Sequence, residues 1–196
     1  MAKKPRENSP NTSSATPTRP AKAAKAPPRP GAASQARLVA GELEAGMPAP
    51  DFRLPREDGT TVSLSDFAGR KLVIFFYPRA DTPGCTREAI DFTRLSADFA
   101  ACDTALLGVS ADAPKKQQTF RAKHALAMPL ASDLTQEMLQ RYGVWGQKTM
   151  YGKVFEGIFR TTLLVDGGGR IARIWRNVKV EGHADEVLAA ARALAG

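Results

Sequence analysis

Cys85 is one of only two cysteines in the chain, and it stands in the segment "YPRADTPGCTREAI", residues 77–90. Behind Thr82, Pro83 and Gly84, the spacing puts it in the first turn of a helix that follows an apolar strand. Unpaired backbone N–H groups and the helix dipole at that place favour a thiolate, which is the nucleophilic form of cysteine. Pro83 fixes the entry to the helix, and Thr82 brings a hydroxyl within reach of anything bound at the sulfur. A free cysteine in an arbitrary place is more often a buried packing residue; the strand-to-helix junction favours the reactive reading. The chain contains no Cys-x-x-Cys, so the chemistry is attack by one activated sulfur rather than dithiol exchange. His124 and His183 lack metal-ligand spacing and read as surface histidines. Trp145 and Trp175 read as core or pocket-rim aromatics. Gly167–Gly169 precedes no helix and so reads as a turn, not a phosphate loop.

The elements that must position Cys85 follow from periodicity. "DFRLPREDGTTVSL" predicts a hairpin turning at Glu57-Asp58-Gly59. "KLVIFFYP" (71–78) is a nearly unbroken apolar run, as in a strand buried on both faces, and "TALLGVS" (104–110) reads as the next buried strand. Between them a helix is expected from about Gly84 to Phe99, with Phe92, Leu95 and Phe99 on its apolar side. Asp112-Ala113-Pro114 opens a second helix with a cap, the acid Asp112, and an early proline, and Ser132 or Asp133 can cap a short helix ending near Tyr142-Gly143. "RTTLLVD" and "RIARIW" form a second hairpin, and "ADEVLAAARALA" a last helix. A β-α-β unit feeding a β-β-α unit is an α/β, thioredoxin-like fold: a central mixed sheet, helices on both faces and an N-terminal β-hairpin.

The net charge of +8 is unevenly placed. Residues 1–37 carry eight basic side chains against the single acid Glu7, hold seven of the fourteen prolines, and contain no Leu, Ile, Val, Phe, Trp or Tyr. Such a stretch cannot offset its ordering entropy by burial, so residues 1–40 are expected to be a disordered basic Lys/Ala/Pro-rich tail ahead of a domain at 41–196. The tail has charge for phosphates but no aromatic to stack on bases, which allows at most weak, salt-sensitive contact with nucleic acid. Its prolines oppose an amphipathic presequence helix, and the N-terminus lacks the apolar core of a secretory signal. With no apolar run near the ~20 residues of a membrane span, and no disulfide framework, a soluble cytoplasmic protein is expected.

"FYPRADTPGCTREA" resembles the active-site segment of peroxiredoxins, in which Pro, three residues, Thr or Ser, and two residues precede the reactive Cys. Those positions are Pro78, Thr82 and Cys85. "YGVWGQKTMYGKVFEGIFRTTLLVDGGGRI" resembles the bacterioferritin-comigratory or Q subfamily, and Arg160 falls where that family carries its active-site arginine. The resemblance spans roughly residues 43–194. It implies a thiol peroxidase that reduces hydrogen peroxide and organic hydroperoxides through a Cys85 sulfenic acid, with no metal or organic cofactor. Arg160 would stabilise the thiolate and the leaving oxygen. Thr82 would bond the peroxide or the sulfur, cap the helix, or both. Pro78 would shape the pocket and exclude water, or simply end a strand.

Many members of the subfamily carry a resolving cysteine five residues after the reactive one, where this chain has Ile90. That points to recycling by an external thiol (thioredoxin, glutaredoxin or glutathione), with Cys102 a space-filling residue, in a monomer or homodimer. The alternatives are a redox sensor using the same sulfenic acid, or a nucleic-acid-associated protein using the tail.

Overall fold

The structure, a computed structural model, describes residues 43–150 and 153–194; the expected tail at residues 1–40 lies outside them. The N-terminal hairpin pairs β1 (Arg53–Pro55) with β2 (Thr61–Ser63), Leu54 opposite Val62. After a 3-10 turn at Leu64–Phe67 come β3 (Lys71–Phe76), α1 (Pro83–Arg94), α2 (Ser96–Ala101), β4 (Thr104–Ser110), α3 (Pro114–Lys123) and β5 (Leu130–Ser132). The remainder is α4 (Glu137–Arg141), the hairpin β6 (Trp145–Met150) and β7 (Lys153–Ile158), the hairpin β8 (Thr161–Val165) and β9 (Ile171–Arg176), and α5 (His183–Ala193). The main sheet has the order β5-β4-β3-β8-β9, with β3 parallel to β4 and antiparallel to β8. This is the mixed, thioredoxin-like sheet that the strand and helix order implies.

β3 is buried at every position because both of its faces are covered. Leu72, Ile74 and Phe76 point into a core shared with the N-terminal hairpin and α4. Val73, Phe75 and Tyr77 face the opposite core, under α1, α2, α3 and α5. Here Phe75 stacks on Phe92 at 4.7 Å and on Tyr77 at 5.7 Å. Gly108 makes room for that aromatic layer: a Cβ there would lie 2.7 Å from Cζ of Phe75 and 2.8 Å from a methyl of Leu130. At the start of β3 the buried Lys71 ammonium donates to the carbonyls of Ala191 (2.8 Å) and Leu194 (3.0 Å), closing the C-terminal end of α5.

Several local expectations are corrected. The helix expected over 84–99 is two helices that meet at Leu95. The Thr93 hydroxyl donates to the Ala89 carbonyl at 2.8 Å, a back-bond that favours bending. Phe92, Leu95 and Phe99 all remain buried. Ala113, not Asp112, occupies the cap of α3. Neither Ser132 nor Asp133 is the cap of α4: Gln136 takes that position in a left-handed conformation (φ 59°), while Asp133 accepts the Leu139 N–H at 2.9 Å. His183 is not a surface residue. It is 5 % exposed, pairs with the Thr162 hydroxyl at 2.8 Å, and stands edge-on to Phe92 and Trp175.

The Gly108→Ala variant should destabilise the fold by about 1–3 kcal/mol, because neither buried neighbour can yield without off-rotamer strain; urea unfolding at equal m-value measures this. His183 gives a pH dependence. Burial lowers its pKa from 6.5 to about 4. The unfolded chain therefore takes up a proton that the native one refuses, and stability falls as pH drops from about 6.5 to about 4, by up to ~1.4 kcal/mol per unit. Urea titrations across that window should show the loss, and His183→Gln should lack that component.

Candidate active site

The chain leaves the sheet at Phe76 and enters α1 through a tethered loop. The Tyr77 N–H still donates to the Val109 carbonyl at 3.1 Å, and its hydroxyl is bonded to the side-chain carbonyl of Gln117. The Gln117 amide nitrogen in turn reaches the Ser110 hydroxyl (2.9 Å) and the Ala131 carbonyl (3.1 Å). Pro78 is exposed, two residues past the end of β3. The Ala80 N–H donates to the Asp112 carboxylate at 2.6 Å, which is where the expected capping acid is used. Asp81 adopts φ 63°, and its carboxylate binds His124 and Lys123, each at 2.8 Å. Those bonds, His124 first, hold its carboxyl below the usual range. Two carboxylates, one answered by α3, thus hold the loop in place.

Thr82 occupies the N-cap of α1 in extended conformation (φ −96°, ψ 152°), and its carbonyl accepts the Thr86 N–H at 2.8 Å. Its hydroxyl makes no cap bond; it donates back to the Arg79 carbonyl at 2.9 Å. Pro83 takes the first helical position, where its missing N–H costs nothing. Cys85 follows in the first turn, a free thiol 2 % exposed against the aromatic core.

Arg160, immediately before β8, reaches this turn from across the sheet. Its Nη2 donates to Sγ of Cys85 at 3.3 Å, while Nη1 pairs with the carboxylate of Glu88. Gly84 allows the approach, since a Cβ there would lie 3.3 Å from Nη2. The glycine of the Thr-Pro-Gly segment thus opens a path for the guanidinium. Glu88 is 1 % exposed, and burial pushes its carboxyl up to about 7 although Arg160 pulls it down. Among the described residues its Oε1 has no hydrogen-bond partner. Arg160 is partly buried, which disfavours its charge, but Glu88 and Cys85 more than compensate and raise its pKa.

Of the four expected site residues, the structure brings Cys85 and Arg160 into contact and places Thr82 at the cap of the same helix. Pro78 lies at the exposed loop start. Sequence reasoning missed Glu88, although its position three residues after Cys85 puts it on the same helix face one turn on. It also missed Gln117 and Asp112 as anchors, which no spacing reveals because their partners lie on other elements. Cys102 follows α2, half-buried, with Sγ 3.2 Å from the Phe99 carbonyl and 3.4 Å from the Thr104 hydroxyl.

The AhpC/TSA family matches residues 45–174. Peroxiredoxin Bcp of Bacillus subtilis is 42 % identical over 146 residues, covering 74 % of this chain and 93 % of that protein. Peroxiredoxin Bcp of Escherichia coli K12 is 38 % identical over 146 residues, covering 74 % and 94 %. A structure of the bacterioferritin comigratory protein of Xanthomonas campestris, described for its alkyl peroxide reduction activity, superposes with a TM-score of 0.72 at 42 % identity, covering 76 % of this chain and 98 % of that one. With a family match over most of the domain, and relatives aligned over nearly their full length, this chain belongs to the AhpC/TSA family and is a peroxiredoxin, a thiol peroxidase of the bacterioferritin-comigratory or Q type.

Proposed function

We propose that Cys85 is the peroxidatic sulfur and that Arg160, Thr82 and Pro78 form its site. The observation that carries this reading is the 3.3 Å contact between Nη2 of Arg160 and Sγ of Cys85 in the first turn of α1. The thiolate attacks one oxygen of hydrogen peroxide or an organic hydroperoxide. The S–O bond forms as the O–O bond breaks, and two electrons pass from sulfur to the peroxide. The departing oxygen takes up a proton and leaves as water or alcohol, and Cys85 becomes a sulfenic acid. Arg160 stabilises the anionic sulfur and the charge growing on the departing oxygen. The single O–H of Thr82 is already given to Arg79, so toward a bound peroxide its oxygen acts as an acceptor. Pro78, with no N–H of its own, limits water at the loop start.

The sulfenic acid must then be reduced by another thiol. Ile90 stands where the subfamily's local partner cysteine is often found, on the outer side of α1 and 44 % exposed. Cys102 belongs to the other end of the sheet. It precedes Thr104, which pairs with Lys71 at the start of β3, whereas Cys85 follows the end of that strand. The six residues of β3 separate the two ends by roughly 17 Å, and a disulfide needs Cα atoms within about 7 Å. An external thiol, whether thioredoxin, glutaredoxin or glutathione, therefore attacks the Cys85 sulfenic acid and expels water. A second thiol releases the resulting mixed disulfide. We place this cycle in the cytoplasm, a reducing compartment suited to two free thiols.

Cys85→Ser should abolish peroxide reduction while keeping the melting temperature near wild type; turnover by the folded variant would remove the assignment. Arg160→Met, which keeps the stem and deletes the charge, should lower the peroxide rate constant by on the order of a hundredfold, measured by single-turnover peroxide consumption. Equimolar peroxide should leave a dimedone-reactive sulfenic acid at Cys85, and Cys102→Ser should turn over as wild type. Mass spectrometry showing a Cys85–Cys102 bridge within one chain, with loss of turnover in Cys102→Ser, would overturn the one-cysteine cycle.

A further inference from the structure

The entry to α1 lacks the bond that ordinarily fixes a helix start. Thr82 occupies the N-cap, but its hydroxyl turns back to the Arg79 carbonyl and makes no bond to the first turn. Packing does not replace that bond. From Pro78 to Gly84 only Ala80 is buried, while Pro78, Arg79, Asp81, Pro83 and Gly84 are exposed. A segment with so few apolar contacts opens easily. Yet Cys85, the next residue, meets the guanidinium of Arg160 at 3.3 Å. The Asp112 carboxylate fixes the Ala80 N–H at one end of the loop. Asp81 and Thr82, nearest the sulfur, need an anchor of their own.

Asp81 has the conformation and the partners to supply it. Its φ of 63° lies in the left-handed region, which glycine adopts freely and aspartate at some cost. A carboxylate placed there serves more than backbone fit, and such residues cluster at functional sites. Nζ of Lys123 donates to its two oxygens, at 3.0 Å and 2.8 Å, and Nε2 of His124 donates to Oδ1 at 2.8 Å. Both donors stand at the C-terminal end of α3, where the helix dipole favours a cation such as Lys123. The helix that carries them is fixed to the core. Gln117 and Phe120 are buried, the Phe120 ring lies 6.1 Å from that of Tyr77, and the His124 ring stands edge-on to Phe120 at 5.3 Å.

We propose that Asp81 is a positioning residue of the peroxidatic site: clamped by Lys123 and His124, it holds the left-handed turn that sets the Thr82 cap and, through it, the alignment of Cys85 with Arg160. It acts by fixing where α1 begins, not by contact with the sulfur. This role rests on the assignment of Cys85 and Arg160 as the reacting pair.

The test is the single-turnover rate constant of the reduced full-length protein with hydrogen peroxide, read together with the melting temperature. Asp81→Gly should keep the melting temperature of wild type, since glycine adopts this φ without strain. It should nevertheless react about fivefold more slowly, the scale of an exposed clamp of this kind. Asp81→Asn, which tolerates the left-handed region and keeps an acceptor oxygen, should lie between the two. The double variant Lys123→Met with His124→Phe removes both donors and keeps a ring against Phe120. It should reach the same loss from the α3 side, and adding Asp81→Gly to it should cost about twofold or less. A glycine variant as fast as wild type, a slower one whose melting temperature has also fallen, or losses that multiply when the variants are combined would each overturn the role of Asp81. A wild-type protein that does not consume peroxide would instead remove the Cys85 assignment itself.

Discussion

A guanidinium divided between a sulfur and a carboxylate, in a place largely closed to water, is the interaction around which this molecule is arranged. Charges withdrawn from water have to be paired with good geometry or they become expensive. The pairing here joins residues far apart in sequence: Arg160 is separated from Cys85 by 75 positions and from Glu88 by 72. What brings them together is the antiparallel register of β3 and β8, in which Thr161 stands opposite Phe76. Arg160, one residue before Thr161, therefore meets the chain just as it leaves β3 for α1. A slip of that register by one residue would turn the arginine to the other face of the sheet.

The sulfur's surroundings are rigid for reasons that lie below it and behind it. Below, Phe75, Tyr77, Phe92 and Phe99 form a continuous aromatic layer under α1, and Gly108 gives that layer its depth. Behind, the loop between β3 and α1 is tied to the end of β4 by Asp112 and to α3 by Asp81. Catalysis by electrostatic stabilisation needs such preorganisation, since donors that must be aligned during the reaction lose part of their effect.

The placement of Cys85 was legible because its signals are local. A thiol in the first turn of a helix, a proline at the first helical position and a threonine at the cap follow from neighbours in sequence, as do the apolar runs that build β3 and β4. The errors share a cause. His183 reads as a surface residue because nothing nearby in sequence announces that Thr162, Phe92 and Trp175 will enclose it. Asp112 reads as a helix cap because local rules cannot see the Ala80 N–H thirty-two residues earlier. The break at Leu95 lies in a segment whose apolar spacing alone favours an unbroken helix.

By itself the sequence determined which groups stand at the start of α1: a thiol in the first turn, a hydroxyl at the helix cap, and no second thiol five residues on. It determined the alternating strands and helices as well, since periodicity and turn chemistry act within a few residues. Only the tertiary structure decided that Arg160 would touch Cys85, that Gly84 serves to admit it, and that Glu88 would compete for the same guanidinium. The physical reason is range. Backbone propensity and capping act along the chain over a turn or two, whereas the balance of buried charge depends on strand register and packing between elements that the chain joins only after long detours.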